Sequence, residues 1–132
     1  MGKRVLILSQ NDKWHKLEDL GALIASWGEV LEGLEIETSH DRVLLASETL
    51  QEYDGCVLCT SMSGLAEPEE QGLAAFVAGG KVAYGLPSAT VTDEGRETYI
   101  DLIGGRFTHH SPYHAFQVEI ALVCNREGKG NL

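Results

Sequence analysis

Apolar residues along this chain fall into short blocks whose spacing switches between two periods. Arg4 to Ser9 holds the continuous run Val5-Leu6-Ile7-Leu8, the mark of a parallel strand covered on both faces. Lys16 to Trp27 then sets Leu17, Leu20, Leu23, Ile24 and Trp27 at helical spacings, with Gly28 as the stop. Leu34 to Thr38 alternates apolar and polar, which predicts a half-exposed strand near a sheet edge. Val43 to Gln51 predicts a short helix capped by Asp41. Gly55 to Thr60 reads as the central strand, and the loop Ser61 to Leu65 leaves its end. Pro68 opens a helix with Glu67, Glu69 and Glu70 at the positive end of its dipole, a stripe of Leu73, Phe76 and Val77, and a stop at Gly79-Gly80. Lys81 to Gly85 is the next strand. Thr92 or Asp93 caps a helix carrying Tyr99, Ile100, Leu102 and Ile103, which ends at Gly104-Gly105. Phe116 to Leu122 reads as a last strand, before a polar tail from Asn125 to Leu132.

Strand and helix alternate with short connections, the pattern of right-handed βαβ units that builds a mainly parallel sheet between two helix layers. At 132 residues, with no linker or repeat, residues 1–132 form one α/β domain large enough to hold its own core.

Composition narrows the partners. Twenty acidic against ten basic residues leave a formal net charge of −10 and no basic stripe, so nucleic acid is not expected as a partner. No apolar stretch approaches the ~20 residues that span a bilayer, and the opening apolar run breaks at Ser9 to Asp12, too early for a signal peptide. A cytoplasmic protein without a membrane partner is expected. Cys56 and Cys59 form a C-x-x-C, but they lie within a predicted strand, where residues three apart point to opposite faces. Buried, unpaired thiols are expected there, rather than a redox pair.

Ligands of open parallel α/β sheets bind beyond the C-terminal ends of the strands. That rule nominates the loops Ser9 to His15, Thr38 to Asp41, Thr60 to Leu65 and Gly85 to Thr92, with Gly104 to His114 folding over the same edge. These loops hold all five histidines (His15, His40, His109, His110 and His114) together with Asp12, Ser61, Ser63, Ser88 and Thr90. Imidazoles at such an edge serve as proton carriers or metal ligands, and the spacings leave open whether any metal binds. No P-loop and no dinucleotide fingerprint is present, so no cofactor is expected. The turn Gly85-Leu86-Pro87-Ser88-Ala89 has proline where a nucleophile elbow needs a nucleophile.

Several segments together are similar to one family. Phe76-Val77-Ala78-Gly79-Gly80-Lys81-Val82-Ala83-Tyr84-Gly85-Leu86-Pro87-Ser88-Ala89 resembles the helix, Gly-Gly, strand and G-L-H-S-A stretch of ThuA-like (trehalose utilisation) proteins. Gly104 to Pro112, with Phe116 and Val118 following, resembles their G-G-x-F-x-x-H-P segment. Tyr53-Asp54-Gly55-Cys56-Val57-Leu58 is similar to their Y-D-x-x-V-L entry to the central strand, and Leu65 to Gln71 fits the helix start that follows. The resemblance implies a flavodoxin-like three-layer fold of the class I glutamine amidotransferase-like superfamily, and a link to bacterial carbohydrate metabolism. It places His15, His110 and Ser88 at family positions, while Pro87 stands where the family motif has histidine. It also implies a shortened member, because relatives continue beyond the strand at Phe116 to Leu122. An edge left open in this way is expected to be covered by a homodimer.

Two functions follow as expectations. In the first, the domain binds or processes a sugar or sugar derivative: His110, His15 and Ser88 do the chemistry, and Asp12, Trp14, Ser61, Ser63 and His114 hold the ligand. In the second, loss of the histidine at Pro87 leaves a non-catalytic scaffold or regulatory domain. Glutamine hydrolysis is not expected, because none of the three cysteines lies on the elbow turn.

Overall fold

The computed structural model describes residues 2–121, 123–124 and 130–131. Its centre is a four-stranded, all-parallel sheet of β1 (Lys3–Ser9), β2 (Leu34–Ser39), β3 (Gly55–Cys59) and β4 (Val82–Gly85), in the order β2-β1-β3-β4. From β1 the chain steps one way to β2 through α1 (Leu17–Gly28) and the other way from β3 to β4 through α2 (Glu67–Ala78). With right-handed crossovers, that reversal puts α1 on one face and α2 on the other. A shorter helix, α3 (Glu97–Ile103), packs beside α2. This is the flavodoxin-like α/β architecture, with β2 at an edge as its alternating pattern predicts.

The main core lies between the sheet and α2. Leu6, Leu8, Cys56 and Leu58 alternate onto that face and meet Leu73 and Phe76 of α2, with Leu45, Leu50 and Met62 filling the ends. The opposite face carries Ile7, Ser9 and Cys59 under α1, and the Cys59 thiol lies 3.4 Å from the Leu17 carbonyl. The two cysteines therefore sit on opposite faces as free, buried thiols, as strand geometry requires.

Four local expectations are corrected. Val43 to Gln51 is two 3₁₀ turns, Arg42–Ala46 and Glu48–Glu52, because Ser47 between them is extended (φ −97°, ψ 156°). Asp41 does cap the first, accepting from Val43 N–H at 3.0 Å. In α1 only part of the predicted stripe is covered. Leu17 is buried, but Leu23 and Trp27 are exposed, since the helix approaches the sheet through Gly21 and Gly28. Neither Thr92 nor Asp93 caps α3. Glu70 of α2 does so, its Oε1 accepting from Tyr99 N–H at 2.9 Å while Oε2 pairs with Arg96 at 3.1 Å. Finally, residues 116–121 are irregular and exposed, because no strand among the described residues lies alongside to complete a ladder. Leu122 and residues 125–129 and 132 lie outside the described residues, and a two-residue antiparallel pair joins β5 (Val123–Cys124) to β6 (Gly130–Asn131).

Two glycines are required, one by close packing and one by backbone conformation. A Cβ on Gly72 would run into the Leu45 carbonyl where α2 crosses the first 3₁₀ turn. Gly104 ends α3 at φ 94°, a left-handed conformation that favours glycine.

Glu70 is buried and serves two partners in α3, so Glu70→Ala is expected to cost about 3 kcal/mol in a urea titration, the scale for breaking a buried pair. A loss under about 0.5 kcal/mol would show the α2–α3 link to be unimportant. Burial pushes the Cys56 thiol from 9.0 up to about 12 and raises Cys59 as well. The folded state holds Cys56 neutral, so its contribution to stability is present below pH 9.0 and is withdrawn as pH rises towards about 12. In a Cys124→Ser background, neither remaining thiol should react with an aromatic disulfide reagent at pH 8 until urea unfolds the protein.

Candidate functional site

The loops at the C-terminal ends of β1, β3 and β4 enclose a cleft of about 810 Å³. Its walls are Asp12, Lys13, Trp14 and His15 from the first loop, Ser61 and Ser63 from the second, Pro87, Ser88 and Val91 from the third, and Phe107 and His110 from beyond α3. Asp12, Trp14, His15, Ser61, Ser63, Ser88 and His110 are thus brought together. His114 is not among the lining residues; it is exposed, with Nδ1 2.6 Å from the Ala115 carbonyl. His40 is tied to β1 instead, its Nδ1 2.8 Å from the Ser9 carbonyl. Thr90 Oγ1 donates to the Pro87 carbonyl at 2.7 Å, steadying the turn that carries Ser88.

The first loop is built around one carboxylate. Asp12 Oδ1 accepts from the backbone N–H of Trp14 and of His15, both at 2.7 Å, so the chain folds back on the aspartate side chain. The His15 ring completes the turn, with Nδ1 3.0 Å from both Asp12 oxygens. These bonds, that to His15 first and to Trp14 N–H next, hold the Asp12 carboxyl below its ordinary value. The ionised Asp12 carboxylate can only accept, so Nδ1 carries a proton, and in the neutral ring Nε2 holds the lone pair. Asn11 fastens the loop to α1 by accepting from Glu18 N–H at 2.9 Å. Trp14 is 78% exposed, a flat apolar surface at the mouth of the cleft, with the Lys13 ammonium 4.8 Å from its ring centroid.

The second loop is held by a residue that pattern reading did not single out. Arg42, from the 3₁₀ turn after β2, donates to the carbonyls of Ser61 (3.4 Å), Ser63 (2.9 Å) and Gly64 (2.8 Å). Its Nε lies 3.2 Å from Glu69, whose carboxylate also accepts from Ala66 N–H at the start of α2. Asp93 takes Gly64 N–H at 2.6 Å from the other side. An arginine fork bonded to three carbonyls fixes a loop firmly, yet nothing local in the sequence announces it.

The last wall is pinned by Phe107 N–H, which donates to the Thr90 carbonyl at 2.8 Å. His110 lies near Phe107, ring centroids 6.1 Å apart, and its Nδ1 is 2.8 Å from the Ser111 carbonyl. A carbonyl only accepts, so His110 Nδ1 donates and Nε2 is again the free nitrogen. The cleft thus has two imidazoles with free Nε2 atoms, three serine hydroxyls and an aromatic surface. Among the described residues, no three His, Cys, Asp or Glu side chains group closely enough to hold a metal ion. No helix among them is long and apolar enough to cross a membrane.

Comparison with known proteins agrees with this architecture. A crystal structure of a ThuA-like protein from Bacteroides uniformis superposes with a TM-score of 0.63 at 16% identity. The match covers 79% of this chain and 44% of that one, so the present chain spans less than half of its neighbour. No curated protein matches the sequence. Residues 4–127 match the ThuA family, described as trehalose utilisation, and the chain belongs to that family.

Proposed function

We propose that this ThuA-family domain binds a sugar or sugar derivative in the cleft above its sheet and processes it by proton transfer. The observation that carries the reading is the Asp12–His15 pair set in a cleft that also presents three serine hydroxyls and an exposed tryptophan. A carboxylate that holds Nδ1–H orients the ring and stabilises the imidazolium formed when Nε2 takes a proton. Ser61, Ser63 and Ser88 suit the hydroxyls of a sugar, and the Trp14 face suits its apolar side. His110, on the opposite wall, would exchange the complementary proton. The family description and the bacterial neighbour support a place in bacterial carbohydrate metabolism, and the unpaired buried thiols suit a reducing, cytoplasmic compartment.

One observation favours the non-catalytic reading. Pro87 lines the cleft where the family's G-L-H-S-A stretch has a histidine, so this wall offers neither base nor ligand at that position. A non-catalytic scaffold or regulatory role would then be what remains.

Thermal unfolding with trehalose, glucose and their oxidised derivatives separates the two readings. A sugar at one hundred times its dissociation constant should add about 2.7 kcal/mol of stability, and His110→Ala should abolish most of that gain. Failure of every sugar to stabilise the wild-type chain would sink the sugar reading and favour the scaffold.

Asp12→Asn keeps an oxygen for the Trp14 and His15 N–H groups but removes the charge facing Nδ1. We expect it to lower turnover of any processed sugar by about 10²-fold or more. Nitrogen NMR should show His15 protonated at Nδ1 in the wild type and shifted towards the other tautomer in Asp12→Asn. An unchanged tautomer would remove the pair from the mechanism. The Asp12 carboxyl is depressed in the fold, so its contribution to stability is complete above the ordinary carboxylate range and is lost as pH falls through the depressed value. Acid unfolding of Asp12→Asn should accordingly start from lower stability at neutral pH and converge with wild type in strong acid.

A further inference from the structure

We propose, on the footing of the sugar reading above, that the sugar held in this cleft carries a carboxylate seated on the Lys13 ammonium beside the Trp14 ring, which makes the substrate class the sugar acids rather than neutral sugars.

The donors and acceptors of the cleft are the first ground. Neighbouring hydroxyls of a neutral sugar are gripped best by carboxylates and side-chain amides, which set two polar atoms side by side. Among the described residues that line the cleft, none carries a side-chain amide and Asp12 is the one carboxylate. That carboxylate is committed within its own loop. Oδ1 takes the Trp14 and His15 N–H groups, and Oδ2 lies 3.0 Å from the His15 ring. What faces a ligand is weighted towards donors, namely the Lys13 ammonium and the hydroxyls of Ser61, Ser63 and Ser88. An ammonium has three donors and no acceptor, and its best complement is an anionic oxygen.

The placing of cations is the second ground. Lys3, Arg4, Arg42, Arg96 and Arg106 each pair with a carboxylate at 3.3 Å or less, and Lys81 donates to the Tyr53 carbonyl at 2.8 Å. Among the described residues, Lys13 and Lys16 are the two with no carboxylate in such reach, although the chain carries a net charge of −10. Both belong to the Asp12 loop, and of the two only Lys13 lines the cleft. Its ammonium lies 4.8 Å from the Trp14 ring centroid, a weak attraction at an exposed site that a carboxylate would outcompete. The charge and the stacking surface therefore stand together at the mouth.

A carboxylate fits better than a phosphate. Phosphates are held by guanidinium forks and helix N-termini, and the cleft offers neither. Arg42 turns its fork to the carbonyls of Ser61, Ser63 and Gly64. The first turn of α1 already carries Glu18 and Asp19, and the Glu18 N–H goes to Asn11.

Calorimetric titration with glucuronate, galacturonate, glucose, galactose and glucose 6-phosphate is the test. Each uronate should bind about fivefold more tightly than its neutral counterpart, the scale of one exposed ion pair. That preference should fade between about 20 and 300 mM salt, while neutral-sugar binding holds steady. Lys13→Gln should bring the uronates down to the neutral sugars with the far-UV spectrum unchanged, and Lys13→Arg should keep most of the preference. Lys16→Gln removes the same charge outside the cleft and should leave the preference in place. Equal binding of uronates and neutral sugars, or a preference that survives Lys13→Gln, overturns the proposal and leaves the sugar reading standing. An equal loss in Lys16→Gln also overturns it, because the attraction would then be diffuse. Glucose 6-phosphate binding most tightly, in a Lys13-dependent way, replaces the carboxylate by a phosphate. If none of the five binds, the sugar reading itself falls, and the acid preference with it.

Discussion

Parallel strands cannot be joined by a tight turn; every pairing requires the chain to cross over a face of the sheet and return to its starting end. That constraint organises this molecule. It sends α1 over one face and α2 over the other, and it points all four strands of the central sheet the same way, so the loops leaving β1, β3 and β4 all emerge at one end. The cleft is therefore a by-product of connectivity before it is a feature of particular side chains. What the side chains add is rigidity and chemistry, supplied partly from within the loops and partly from distant residues.

Each wall is held by a different device. The Asp12 loop folds on its own carboxylate, a local solution that can form as soon as those residues meet. The Ser61 loop depends on Arg42 and Asp93, which arrive from distant parts of the chain. The Phe107–His110 segment hangs from one backbone hydrogen bond to Thr90. The cleft thus has one self-sufficient wall, one cross-braced wall and one lightly tethered wall, and the imidazole on the last should have the most freedom to adjust to a ligand.

These differences explain what pattern reading can and cannot reach. Continuous apolar runs such as Val5 to Leu8 are visible because a strand covered on both faces has no choice of side, and strand direction then assigns the site loops by rule. The Cys56 and Cys59 thiols are legible for the same reason, since strand alternation settles their faces. The α3 cap is not legible. Thr92 and Asp93 are ordinary local candidates, but the acceptor is Glu70, which reads simply as a helix-start charge and lies 29 residues from its partner Tyr99. Arg42 escapes likewise, because an arginine's reach depends on tertiary placement. Phe116 to Ala121 has the period of a strand and is not one here, since a strand is defined by its neighbour as much as by its own alternation.

The cap supplied by Glu70 also bears on the order in which the domain assembles. α3 has only seven residues, well below the length at which a helix holds together alone in water. Its first turn has no partner of its own and must wait for α2 to present the carboxylate. α3 is thus a late element: it closes over a sheet and helix already in place, and is the first to detach when they loosen. Tyr99, whose hydroxyl bonds the Ala89 carbonyl at 2.6 Å, would leave with it, and the turn that carries Ser88 would lose its support. Under thermal or proteolytic stress, the cleft would then open from the α3 side while the four-stranded sheet still stood.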